Sequence, residues 1–164
     1  MKIFRMVFLS LGGVGFSPIL PGTLGSLIST ILFFFCFPLL PHSFFLRIVF
    51  LLSIFGILFF VSIPLITAEK KDGQVDHHFI VVDELLGMLT TIFPIVIFRM
   101  PLLWEIGVTF VFFRFFDIVK PLGIRTIDQK NTPISVLLDD VFAGIYAAIC
   151  LIGTTLLVAS LSQT

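Results

Sequence analysis

The stretch 46–67, LRIVFLLSIFGILFFVSIPLIT, holds a single charge, Arg47, and is as long as a helix must be to cross a bilayer, about 20 residues. No other feature limits the fold so strongly. Backbone N–H and C=O groups in hydrocarbon must be satisfied within the segment itself, and a helix does that. Four further apolar runs follow the same logic, at 24–40, 85–98, 102–119 and 141–161. The run at 85–98 is short and contains Pro94, and Arg99-Met100-Pro101 breaks the chain before the next one. The expectation is therefore an all-α integral membrane bundle of four to five apolar helices, preceded by a Gly/Pro-rich loop at 15–23, in a single domain spanning 1–164. Composition agrees: 12% of residues are charged, against about 25% in soluble proteins.

Charge placement is more informative than charge balance. Ten basic and ten acidic residues leave no broad basic surface of the kind that nucleic acid requires. If all five runs cross, Lys2, Arg5, Lys70, Lys71, Arg114, Lys120, Arg125 and Lys130 fall on one side and Arg47 and Arg99 on the other. By the positive-inside rule the first side is cytoplasmic. That side also collects every acid except Glu105. The N-terminal MKIFRMVFLSLGGVG starts like a signal peptide, but Arg5 interrupts it and no small-residue cleavage motif follows, so it is expected to stay. Cys36 and Cys150 lie inside apolar runs without CxxC spacing and are read as packing residues.

Two acidic pairs stand at the doorsteps of apolar runs, Asp83-Glu84 and Asp139-Asp140. A carboxylate there caps free N–H groups and meets the positive end of the helix dipole. One acid suffices for that, which leaves one of each pair over. The pairs are therefore read as caps and cation ligands at once. In FRFFDIVKP (113–121), Arg114, Asp117 and Lys120 recur at i, i+3 and i+6 and share one stripe. The plain alternative for the stripe is interfacial snorkelling, which accounts for the two bases better than for Asp117. Oxygen ligands from several carboxylates suit Mg²⁺, and Arg and Lys beside it suit a phosphate. Gly22, Thr23, Gly25 and Ser26 open the first long helix, where N–H groups and hydroxyls can meet a phosphate oxygen. VVDELLG (81–87) and LLDDVFAG (137–144) echo each other weakly.

Several phosphate chemistries are set aside. Neither cysteine begins a C-x5-R loop, and there is no GxxxxGK[ST]. Asp72-Gly73 starts like the signature of enzymes that join CDP-lipids to alcohols, but no Ala-Arg follows and the later acids lack that spacing, which leaves a CDP-alcohol phosphotransferase-like lipid enzyme as a poor runner-up. His77 and His78 precede Asp83; one of them can ligate a metal or shuttle a proton, although adjacent exposed histidines are more often only solvated.

FSPILPGTLGSL (16–27), IVVDELLGM (80–88), FRFFDIVKPLGIRTID (113–128) and LLDDVFAG (137–144), in this order and over nearly the whole chain, resemble the phosphatidylglycerophosphatase A family. The resemblance implies a Mg²⁺-dependent lipid phosphatase of the bacterial inner membrane that converts phosphatidylglycerophosphate to phosphatidylglycerol. It implies catalytic and metal-binding roles for Asp83, Glu84, Asp117, Asp139 and Asp140. It further implies phosphate contacts from Thr23, Ser26, Arg114, Lys120 and Arg125, and support from Gly22, Asp76, His77 and Asp128. The chain departs from the family pattern at QKNTPIS (129–135), where a Gly pair is usual.

Two nucleophiles remain open, a water or one of the carboxylates. A small transporter or channel subunit with a cation-binding carboxylate cluster is the rival from another class; it requires charge deep in the spans, whereas this chain places nearly all of it at their ends. A purely structural partner leaves the paired acids unexplained.

Overall fold

The computed structural model describes residues 2–70, 75, 77–97, 103–121 and 123–162. Among the described residues seven helices follow one another: α1 Lys2–Leu9, α2 Pro21–Cys36, α3 Phe44–Thr67, α4 Val82–Val96, α5 Leu103–Val119, α6 Ile124–Asp128 and α7 Pro133–Leu161. Short 3-10 turns lie at Val14–Phe16 and Phe37–Leu39, and no strand occurs among the described residues. The fold is all-α, as expected.

Side-chain bonds tie the long helices into alternating directions. Arg114 near the end of α5 reaches Glu84 at the start of α4, and Lys120 just past α5 reaches Asp139 early in α7. At the opposite pole Arg47, at the start of α3, donates to the carbonyl of Val96 at the end of α4, 2.9 Å away. There also, Thr155 late in α7 donates to Glu105 early in α5, at 3.0 Å. A guanidinium at the C-terminal end of α4 meets the negative end of its dipole.

The outer surface is made for lipid. Only 11% of the most apolar window of α3 is buried, and Phe35, Phe45, Phe60 and Leu156 point outward. Among the described residues three segments are long and apolar enough to cross a membrane: 21–39, 44–67 and 133–161. The expected count of four to five is not matched by length alone, because α4 and α5 have 15 and 17 residues. Inside, packing depends on small residues, since lipid tails give helices no hydrophobic reason to associate. Ala143, Gly144, Ala147 and Ala148 of α7 are buried, and the centre of the contact with α4 is Gly87.

One boundary differs in a way that matters. α7 starts at Pro133, eight residues before the expected run at 141. Thr132 Oγ1 accepts from the Ser135 N–H at 3.0 Å, and Ser135 Oγ accepts from the Thr132 N–H at 2.9 Å, a reciprocal cap with Pro133 in the first turn. Asp139 and Asp140 are therefore not caps; they sit in the helix interior and are both buried. The QKNTPIS segment explains itself at the same point. Asn131 has φ 47°, the left-handed region that glycine adopts freely and Asn tolerates, and its Oδ1 accepts from the Val75 N–H at 3.1 Å.

Candidate active site

The helix starts of α2, α4 and α7 and the end of α5 enclose a cavity of about 180 Å³ at the charged pole. Gly22, His77, Asp83, Glu84, Asp117, Lys120, Asp139 and Asp140 line it, together with Pro21, His78, Ile80 and Val136. Each acid arrives for a local reason. Asp83 and Glu84 occupy the first turn of α4, where the dipole favours negative charge, and Asp83 Oδ1 accepts from the Glu84 N–H at 3.0 Å. Asp139 and Asp140 are brought in by α7, whose Gly144 sits against Gly87 one turn below Asp83. The weak echo of the two acidic motifs is thus a packing relation: an acid, then a glycine one turn on, in both helices.

Arg114 Nη1 joins two of the carboxylates, donating to Glu84 Oε2 at 2.8 Å and pairing with Asp117 Oδ2 at 2.6 Å. Ser26 Oγ donates to the same Glu84 oxygen at 2.7 Å. Gly22 is needed for this approach, because a β-carbon there would lie 2.3 Å from Glu84 Oε1. Lys120 follows α5 with φ 47°, a backbone state costing roughly 1–2 kcal/mol for a residue with a side chain. The turn directs its Nζ to Asp139 Oδ2 at 2.6 Å and Asp128 Oδ1 at 2.7 Å. Burial alone would pull the Lys120 ammonium down, but its hydrogen bonds to Asp128 and Asp139 outweigh that and hold it above the ordinary lysine range. Behind the cavity Arg5 pairs with Glu69. The Glu69 carbonyl accepts from His77 Nε2 at 2.8 Å, so that nitrogen bears the proton, and the ring stacks on Phe79.

The expected residues divide by position. The five acids, Gly22, His77 and Lys120 form the wall. Arg114, Ser26 and Asp128 hold wall residues from behind. Thr23 is half-buried on α2 and outside the wall, Arg125 is exposed on α6, and Asp76 lies outside the described residues. His78, weighed with His77 as a ligand or proton shuttle, also lines the wall; Pro21, Ile80 and Val136 were not expected there. The pairing of His77 with His78 was the one sequence signal for any of these, and solvation was its ordinary reading.

Electrostatically the cavity is short of positive charge. Among the described residues five carboxylates face it against Lys120 in the wall and Arg114 behind. Among the described residues Asp139 Oδ1 is buried without a hydrogen-bond partner, and Asp140, next to it in the chain, is buried too. Buried carboxylates that repel one another call for a cation. The described residues do not present three or more Asp, Glu, His or Cys side chains already gathered as a metal cage. Mg²⁺ does not need one, since it keeps several waters and is typically held by one or two carboxylates plus substrate phosphate. The all-oxygen donor set and the unpartnered Asp139 oxygen fit such an ion.

The family model described as phosphatidylglycerophosphatase A matches residues 7–155. The chain is 36% identical to phosphatidylglycerophosphatase A of Escherichia coli, covering 83% of this chain and 74% of that protein. It is 39% identical to phosphatidylglycerophosphatase A of Haemophilus influenzae, covering 79% and 75%. A candidate phosphatidylinositol-3-phosphatase of Bacteroides thetaiotaomicron is 33% identical, over 84% of each chain. No solved structure matches.

Proposed function

The chain belongs to the phosphatidylglycerophosphatase A family, and from that premise we propose that it hydrolyses the phosphomonoester of phosphatidylglycerophosphate to phosphatidylglycerol and inorganic phosphate. The observation that carries this reading is the cavity itself: five carboxylates and Lys120 around a small polar space at one end of a lipid-embedded bundle. A phosphomonoester head group at the membrane surface reaches such a space while its tails remain in hydrocarbon.

In this reading Asp83, Glu84, Asp117, Asp139 and Asp140 would be the residues that hold Mg²⁺, and the ion would offset negative charge on the phosphoryl oxygens. Lys120 leaves Asp139 and Asp128 for a non-bridging phosphate oxygen. Arg114 keeps Glu84 and Asp117 in place and turns part of its fork toward the phosphate. A water oxygen bonds to phosphorus as the bond to the glycerol oxygen breaks. A cavity carboxylate accepts the proton of that water, and the departing alkoxide takes one up. In the alternative with a carboxylate as nucleophile, that carboxylate forms an acyl phosphate as the bond to the glycerol oxygen breaks, and water then releases the phosphate and restores the carboxylate. The clustering of Lys and Arg at the same pole supports a cytoplasmic active site in the bacterial inner membrane.

The likeness to the Bacteroides protein favours a second substrate reading, the 3-phosphate of phosphatidylinositol. One assay separates them: phosphate release by the purified chain from phosphatidylglycerophosphate, phosphatidylinositol 3-phosphate and phosphatidic acid, with Mg²⁺ and with chelator. The proposal expects Mg²⁺-dependent release, fastest from phosphatidylglycerophosphate. No release from that lipid rejects it.

A further inference from the structure

An apolar groove of about 320 Å³ opens between α2 and α3, with α4 as its floor. Leu32 and Cys36 of α2, Phe50 and Ile54 of α3, and Leu89 and Ile92 of α4 line it, and no charged side chain does. At its ends on α4 are Leu85 and Val96. At about 1.5 Å per residue that stretch is roughly 17 Å long, close to half of the ~30 Å hydrocarbon core and hence to one leaflet.

The groove and the polar cavity are built on the same two helices. α2 contributes Pro21 and Gly22 to the cavity and Leu32 and Cys36 to the groove; α4 contributes Asp83 and Glu84 to the cavity and, from Leu85 onward, the floor of the groove. Toward the charged pole Leu32 is shared with a second hollow of about 340 Å³ between α1 and α2, so apolar surface continues along α2. A polar space at the starts of the two helices that also line a leaflet-deep apolar trough has the layout of a phosphate head joined to a hydrocarbon tail.

We infer that this groove receives an acyl chain of the lipid whose phosphate enters the cavity, making it a tail-binding subsite that sets chain-length preference. The inference rests on the reading of the cavity as a lipid phosphatase site. A bilayer offers tails an equally apolar medium, so the subsite acts through fit and holds the head group in register rather than supplying hydrophobic energy.

The test uses the full chain in detergent with Mg²⁺ and two measurements. In the first, phosphatidylglycerophosphate bearing a diazirine near the end of one acyl chain is photolysed on the wild-type protein, with phosphatidylcholine bearing the same tail as control. Labelling concentrated on groove residues such as Cys36 and Leu89, and at least fivefold stronger than with the control lipid, is expected. Equal labelling by both lipids, or labelling spread over outward residues such as Phe60 and Leu156, overturns the inference. In the second, kcat/KM is measured on dipalmitoyl and dioctanoyl substrates. Leu89→Trp fills the groove and should lower the long-to-short ratio at least fivefold, Phe93→Ala enlarges it and should raise the ratio, and Ile57→Trp on the lipid face is the control. A ratio unchanged by both groove variants also overturns it. If the wild type labels in the groove but releases no phosphate from either substrate, the phosphatase reading fails and the tail site stands.

Discussion

A β-carbon on Gly144 of α7 would lie 2.5 Å from the carbonyl oxygen of Gly87 on α4. The two backbones touch, and this contact sets the spacing of Asp83 and Asp140, each one helical turn nearer the charged pole. Gly87 is equally confined, with its absent side chain replaced by the Phe113 ring and the carbonyl of Asp140. Gly144→Ala should therefore force the helices apart and destabilise the protein by about 1–3 kcal/mol. Thermal unfolding in detergent measures this. An unchanged midpoint for Gly144→Ala would contradict the packing account.

Asn131 is predicted to tolerate glycine better than a branched residue. Asn131→Gly keeps the left-handed backbone and loses one hydrogen bond to Val75, about 1 kcal/mol. Asn131→Val loses that bond and adds roughly 1–2 kcal/mol of backbone strain. Chemical unfolding of both variants should rank them in that order; equal stability would mean that the turn does not hold its φ of 47°.

Much of the fold was legible because membrane helices advertise themselves. α2, α3 and α5 coincide closely with runs of apolar residues, and α5 ends at Val119, two residues before Pro121. The start of α7 was not legible from hydropathy, because its first two turns face the cavity and bear acids where an apolar run was sought. Its true signal was Thr132-Pro133 with Ser135. The candidate site was read more fully than its geometry: the acids, Lys120 and Arg114 do converge, but the roles of Ser26 and Asp128 as supports depend on contacts 58 and eight residues away along the chain. The paired motifs gained meaning only when Gly87 met Gly144.

Lys120 gives a pH signature. Its folded ammonium titrates above the ordinary lysine range, so its contribution to stability is complete below about pH 10. It is lost as pH rises through the higher folded value. Melting midpoints should thus show no Lys120-dependent change between neutral pH and pH 9. Lys120→Met should destabilise throughout that range by about 3–5 kcal/mol, since Asp139 is left as an uncompensated buried charge. A variant as stable as wild type at pH 7 would show that the Lys120–Asp139 pair is not formed.

Arg114 and Asp117 are predicted to separate in titrations of substrate and Mg²⁺. Arg114→Lys retains charge but loses the planar guanidinium whose Nη1 joins Glu84 and Asp117 and whose other donors can meet phosphate, and should reduce turnover about tenfold or more with little change in the Mg²⁺ needed for half-maximal rate. Asp117→Asn should raise that Mg²⁺ requirement, because an amide is a poorer ligand for a hard cation. The reverse pattern would exchange their roles, and no effect of either would place the site elsewhere.

The central claim is that the buried acids of this cavity perform lipid phosphomonoester hydrolysis, and Asp140 tests it most directly because it is buried in the cavity wall among the other carboxylates. Asp140→Asn preserves volume and removes a repelled buried charge, so the purified variant should melt no lower than wild type. Its rate of phosphate release from phosphatidylglycerophosphate at saturating Mg²⁺ should fall by roughly 10²-fold or more. A folded Asp140→Asn protein that releases phosphate at close to the wild-type rate would contradict the account.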